Sequence, residues 1–142
     1  MKKLFTSLVA VFCTMAGMAQ TLTFSHDGVA IENGSTFYSR DVNEDLLPFG
    51  VTKFEPEIDL SSDVAANVYV SIQSLDKVSV ELCAIDGICV KTGADKGYVA
   101  QKNGEWTANE VVDMQIHWNA GALQAGAIAT THVVVSAWYE GQ

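Results

Sequence analysis

Basic side chains are scarce in this chain. Its 142 residues hold 8 Lys and Arg against 17 Asp and Glu, a formal net charge of −9. Phosphate backbones and anionic lipid surfaces are held by clustered Lys and Arg, so the balance excludes nucleic acid as a partner and argues against an anionic membrane surface. Proline is nearly absent, at 2 residues, and charged residues make up 18% against 49% hydrophobic. That composition fits neither a disordered nor a collagen-like chain, and it can bury a core. With 142 residues there is room for one domain of about 100–200 residues, which excludes a two-domain enzyme. There is no internal repeat, linker or charge block.

Long apolar runs are missing as well, with one exception at the N-terminus. Lys2 and Lys3 precede an apolar stretch over residues 4–16, and Gly17-Met18-Ala19 puts small residues at minus one and minus three of a cleavage point. The pattern predicts a signal peptide over residues 1–19 and a single domain over 20–142. Thr6, Ser7, Thr14 and Gly17 interrupt the run, which falls short of the roughly 20 apolar residues of a membrane span. Phe12 stands before Cys13 where a lipidation signal wants a small residue. Loss of Lys2 and Lys3 leaves six basic against seventeen acidic side chains, a net −11, so an acidic exported protein with no stable membrane insertion is expected.

Cysteines number 3, and Cys13 leaves with the leader. Cys83 and Cys89 then pair naturally in a compartment that permits disulfides. Around them, Val78, Val80 and Leu82 alternate with polar residues, Asp86-Gly87 marks a turn, and a returning strand begins near Ile88, which together read as a hairpin. A three-residue loop Ile85-Asp86-Gly87 with left-handed Gly87 sets Ala84 against Ile88 and Cys83 against Cys89; a two-residue Asp-Gly turn would offset the cysteines by one. A redox couple and half of a zinc site are the other uses such a pair can have. A redox couple prefers two intervening residues at a helix start, and a zinc site needs two further ligands near the hairpin.

The remaining chain reads as strands broken by turns every eight to twelve residues, with hardly any helical period. Strands are expected over 21–25, 29–31, 35–39, 49–60, 66–73, 78–82, 98–101, 105–107, 114–118 and 132–139, with some of these short runs merging to give eight or nine. Pro56 marks an edge strand or a bend within 49–60. Val68, Val70 and Ile72 alternate with Asn67, Tyr69, Ser71 and Gln73, the pattern of a sheet with one solvated face. The Ala- and Gly-rich residues 119–131 read as a loop before the last strand. The expected fold is all-β: a two-sheet antiparallel β-sandwich.

Leu82-Cys83-x5-Cys89, the strand Met114-Gln115-Ile116-His117-Trp118-Asn119, a glycine-bearing loop and a final strand over 133–139 resemble small secreted immunoglobulin-like modules of Bacteroidota. The leader ending Met18-Ala19-Gln20 is similar to those of exported proteins of the same bacteria. The resemblance covers mostly residues 66–139. It implies an immunoglobulin-like architecture and a periplasmic or extracellular place in a Gram-negative bacterium, and it carries no mechanism.

Catalytic constellations are not legible. His26, His117 and His132 show no zinc spacing, and His117 is expected on a solvated face opposite Met114, Ile116 and Trp118. No serine sits in a Gly-x-Ser-x-Gly elbow. Glu55, Glu57 and Asp59 share one strand face but read as a self-repelling edge. Asp41-Val42-Asn43-Glu44-Asp45 opens like a calcium loop, yet Leu46 stands where glycine is needed and Thr52 where a bidentate glutamate belongs, so it reads as a solvated acidic loop. No catalytic residue, metal or cofactor is expected. The aromatic residues Trp106, Trp118, Trp138 and Tyr139 form the candidate ligand surface, against the competing expectation that they pack in the core. The reading is a non-catalytic binding module that contacts another protein through loops or a sheet edge, or else a cell-surface glycan through exposed aromatics.

Overall fold

The computed structural model describes residues 5–12, 20–83, 89–92 and 98–142, with the backbone alone for 5–12 and 98–104. The strands are β1 (Phe5–Phe12), β2 (Leu22–His26), β3 (Val29–Ala30), β4 (Thr36–Ser39), β5 (Thr52–Phe54), β6 (Asp59–Ser62), β7 (Ala66–Ser74), β8 (Glu81–Cys83), β9 (Cys89–Lys91), β10 (Tyr98–Trp106), β11 (Val111–Asp113), β12 (Gln115–Gly121) and β13 (Thr130–Tyr139). The chain is an all-β sandwich. Pairing divides the strands into three sheets, in the orders β10-β7-β13-β1-β4, β11-β6-β2-β3 and β5-β12-β8-β9. Among the described residues every pair is antiparallel except β1 with β13.

The third sheet has a chemical cause. The single strand expected over 49–60 is two strands, β5 and β6, which belong to different sheets. Between them Pro56 is buried and has no N–H to give a ladder, so the chain bends there. Alongside, β11 passes into β12 through Met114, whose N–H donates to the Ile58 carbonyl at 2.8 Å and ties the two crossings together. The bend also separates the expected acidic row: Glu55 follows β5, whereas Asp59 lies in β6 opposite Asp113.

Local chemistry accounts for the other turns. Asp27 and Gly28 both take positive φ, 50° and 75°, and join His26 to its partner Val29 as a two-residue turn. The acidic stretch after Asp41, expected as a solvated loop, becomes a short 3-10 helix, Glu44–Phe49. Asn43 caps it by accepting from the Asp45 N–H at 3.1 Å, and Gly50 ends it at φ 73°. Asn43 also donates to Glu55 at 3.2 Å, and the Ser39 hydroxyl donates to Asp41 at 2.7 Å. Two of the oxygens that would line a calcium loop, Asn43 Oδ1 and Asp41 Oδ2, are therefore engaged in a cap and a turn.

One core joins the three sheets. Val68, Val70 and Ile72 of β7 meet Val133, Val135, Ala137 and Tyr139 of β13, Phe24, Leu60, Phe54, Leu82, Ile116 and Trp118. Each fully buried aliphatic or phenyl side chain contributes about 1.5–3 kcal/mol. Residues expected to form a loop extend two strands instead: Asn119 to Gly121 continue β12, and Thr130 and Thr131 open β13.

The sulfurs of Cys83 and Cys89 are bonded, and the two residues stand directly opposite in the β8–β9 ladder. This is the in-line register anticipated from the three-residue turn. The turn itself, with Ile85, Asp86 and Gly87, lies outside the described residues. Among the described residues no helix is long and apolar enough to cross a membrane.

Candidate functional site

Two regions carry features beyond packing. The first lies on the outer face of the β5-β12-β8-β9 sheet. Met114, Ile116 and Trp118 are buried, which turns Gln115 and His117 outward, as expected from their alternation. On β8, Leu82 points inward while Glu81 and Cys83 share the outer face. Because His117 pairs with Glu81 and Gln115 with Cys83, the ladder sets these groups side by side.

The geometry there is close. His117 Nδ1 lies 3.1 Å from Glu81 Oε1, and His117 Nε2 lies 3.9 Å from Glu55 Oε1. Glu55 in turn meets the Lys53 ammonium at 2.6 Å. Partial burial pushes the Glu55 carboxyl up, but hydrogen bonds from Lys53 and Asn43 and the nearby charges of Lys53 and His117 outweigh it and leave the pKa lowered. Glu81 Oε1 also stands 3.8 Å from the bonded sulfur of Cys83, which itself is 4% exposed. His117 forms a wall between two open grooves. One, of about 410 Å³, is acidic, with Glu55, Glu57 and Asp113; the other, of about 240 Å³, is lined by Lys53, Ser79, Glu81, Lys91 and Asn119 as well.

Sequence reasoning left His117 without partners because Glu81 is 36 residues away and only the β8–β12 pairing joins them. A signal was present nonetheless. Glu81 and Cys83 are two apart on one strand, Gln115 and His117 two apart on another, and both pairs alternate with core residues. The other two histidines also meet partners far away in sequence. The His26 Nδ1–H donates to the Glu57 carbonyl at 2.6 Å, and its ring packs on Phe37. His132 Nδ1 lies 2.9 Å from Asp76.

The second region is an edge of the five-stranded sheet. β1 lies between β13 and β4, in parallel register with β13 from Phe5↔Thr130 to Phe12↔Ala137 and antiparallel to β4 from Thr6↔Ser39 to Val9↔Thr36. The strand that fills this slot thus comes wholly from the expected leader. Among the described residues β4 has no other strand neighbour in the sheet.

The aromatic surface narrows to one tryptophan. Trp106 is 0% exposed, Trp118 stacks on Phe54 at 5.0 Å in the core, and Tyr139 is buried with its hydroxyl 2.9 Å from Ser62 Oγ. These three cannot present a face to a ligand; the inward phase of their strands places them in the core. Burial raises the Tyr139 pKa, Ser62 opposes this, and Asp63 adds to it. Trp138 alone of the four is on the outer face, half-buried, with its ring 5.7 Å from that of Tyr69 and nearly parallel to it. Elsewhere Phe49 is 81% exposed beside Leu47 at the end of the 3-10 helix.

No protein-family model, curated protein or solved structure matches the chain.

Proposed function

We propose that the chain is an exported, non-catalytic interaction module that takes up an extended segment of a partner polypeptide at the edge of its five-stranded sheet. The observation that carries this reading is the seating of β1. Its residues, 5–12, fall inside the segment whose charge and small-residue pattern mark it for removal at Ala19. Cleavage there takes away the strand between β13 and β4. β13 then keeps one ladder, to β7, and turns the backbone donors and acceptors of alternate residues along its ten-residue length toward an open slot.

A long edge of this kind pairs readily with an added strand. Main-chain hydrogen bonds supply most of the affinity in such an arrangement, and side chains at alternate positions set its specificity. β1 itself defines the occupant: an extended stretch of about eight residues, parallel to β13 and rich in apolar and small side chains. The Cys83–Cys89 bridge suits a secreted domain.

The test uses a fluorescein-labelled peptide of the β1 sequence, FTSLVAVF, and the chain beginning at Gln20. Fluorescence anisotropy should show saturable one-to-one binding that a scrambled peptide does not reproduce. The full chain with its own residues 1–19 in place should bind no peptide. Equal binding to both chains, or none to either, would contradict the reading.

A second reading rests on the Tyr69–Trp138 pair, whose partly exposed parallel rings offer a small platform for a sugar face. Quenching of the Trp138 emission by a glycan, lost in Trp138→Ala, would favour it.

A further inference from the structure

The outer face of the β8–β12 pair carries the two ligands that a zinc site at the hairpin was missing in the sequence. The geometry points to a divalent-cation site, made of Cys83, Cys89, His117 and Glu81, that opens when the Cys83–Cys89 bridge is reduced. One ligand atom each of Glu81, Cys83 and His117 lie within 4.8 Å of one another, with Glu81 Oε1 3.1 Å from His117 Nδ1 and 3.8 Å from Cys83 Sγ. Ligands held 2.0–2.3 Å from a tetrahedral zinc stand roughly 3.3–3.8 Å apart, so these atoms need only small rotations to enclose one ion. Cys89, with its Cα 4.0 Å from that of Cys83, supplies the fourth position. Two sulfurs, one nitrogen and one oxygen form a set suited to zinc or cobalt.

The arrangement also fixes the imidazole. Glu55 Oε1 stands 3.9 Å from His117 Nε2, an electrostatic rather than a hydrogen-bonded distance, and a small approach on cation binding would let Nε2–H donate to Glu55 while Nδ1 faces the ligand side. A carboxylate in this relation to a ligating histidine sets its tautomer and orientation. Glu55 is thus a positioning residue, and Lys53, 2.6 Å from it, holds Glu55 in turn.

The disulfide blocks the site, because a bonded sulfur carries no charge and is a poor ligand. A protein dithiol of the Cys-x-x-Cys class opens it by exchange: its two thiols are oxidised to a disulfide while Cys83 and Cys89 receive two electrons and two protons. Binding of the cation then displaces both thiol protons to solvent. The device couples metal uptake to redox state and is independent of the strand slot.

The test uses the chain beginning at Gln20, oxidised or reduced with a phosphine, and titrated with cobalt(II). Reduced protein should give intense visible d–d bands and a near-ultraviolet thiolate-to-cobalt band at one ion per chain, both bleached by zinc. Oxidised protein should bind at least a hundredfold more weakly. Glu55→Gln should weaken binding about 10- to 100-fold with the thiolate band retained, and His117→Gln should change the d–d spectrum as well. Cys89→Ser opens the bridge without reductant and keeps Cys83, Glu81 and His117, so it should bind cobalt through one thiolate. Equal affinity in both redox states would overturn the inference, as would reduced binding indifferent to His117→Gln. A folded Cys89→Ser chain that takes no cobalt would overturn it too. So would loss of the β-sheet circular dichroism in both reduced protein and Cys89→Ser, since the site needs the β8–β12 pairing.

Discussion

Replacing Trp106 separates packing from polar satisfaction in the core. The indole is 0% exposed, and its Nε1–H finds no acceptor among the described residues. Trp106→Phe removes that donor together with one fused ring. The lost ring withdraws roughly 40 Å² of apolar surface from burial, about 1 kcal/mol at ~25 cal/mol per Å². The small void left behind adds a cost of similar size. Against this, an unpaired buried N–H costs about 1–3 kcal/mol, and the phenyl ring does not carry it. The terms nearly cancel, so Trp106→Phe should unfold within about 1 kcal/mol of the parent. Trp106→Ala has no such compensation and should lose about 3–5 kcal/mol. Urea unfolding followed by far-ultraviolet circular dichroism measures both, and it does not depend on the emission of the removed tryptophan. A loss above ~3 kcal/mol for Trp106→Phe would refute the reasoning, because it would mean that the indole N–H is bonded in the native core.

Other expectations follow from the bridge, the ion pairs and the outer tryptophan. Cys83→Ser with Cys89→Ser opens a loop of sequence separation 6 and should lose about 2 kcal/mol in the same assay; non-reducing mass spectrometry of the parent should show a mass two hydrogens below the reduced form. Burial pushes the Asp76 carboxyl up, but the backbone N–H and ring of His132 and the Thr131 hydroxyl outweigh it, and its pKa ends lowered like that of Glu55. The unfolded chain therefore takes up these protons first. The stability the two groups give is complete above their ordinary values of 3.8 and 4.5 and is lost as pH falls through and below that range. Asp76→Asn should lower stability at neutral pH and flatten the acid limb of a pH series of thermal melts. Trp138→Ala, on the outer face, should cost about 0.5–1.5 kcal/mol for the lost Tyr69 stacking plus its partial burial, well below the cost of Trp106→Ala.

Period-two alternation made much of the fold legible in the sequence. Val68, Val70 and Ile72 announce both their strand and its inward face, and the apolar run over 133–139 announces its strand. The spacing of Cys83 and Cys89 fixes a hairpin register because a bridge joins residues that stand opposite. What stayed hidden is non-local. Nothing in residues 49–60 states that Pro56 sends Phe54 and Leu60 into different sheets, since that depends on which strands arrive alongside. The acidic stretch at 41–45 offered oxygen spacing but not the competition of Asn43 and Asp41 for nearby backbone and side-chain donors. The candidate aromatics were ambiguous because both faces of β13 carry apolar bulk, and only the packing of the sheets shows which face is covered. The cluster of His117, Glu81 and Cys83 depends on a strand pairing across 36 residues of sequence.

Removal of residues 1–19 should open the β13 edge to an incoming strand. Hydrogen exchange of the chain beginning at Gln20, set beside the full chain, reads this amide by amide. The amides of Thr130–Tyr139 that face the slot should exchange rapidly in the shorter chain, those facing β7 should stay protected, and the FTSLVAVF peptide should restore protection to the first set alone. Equal protection of all β13 amides in both chains, unchanged by the peptide, would contradict the opening of this edge.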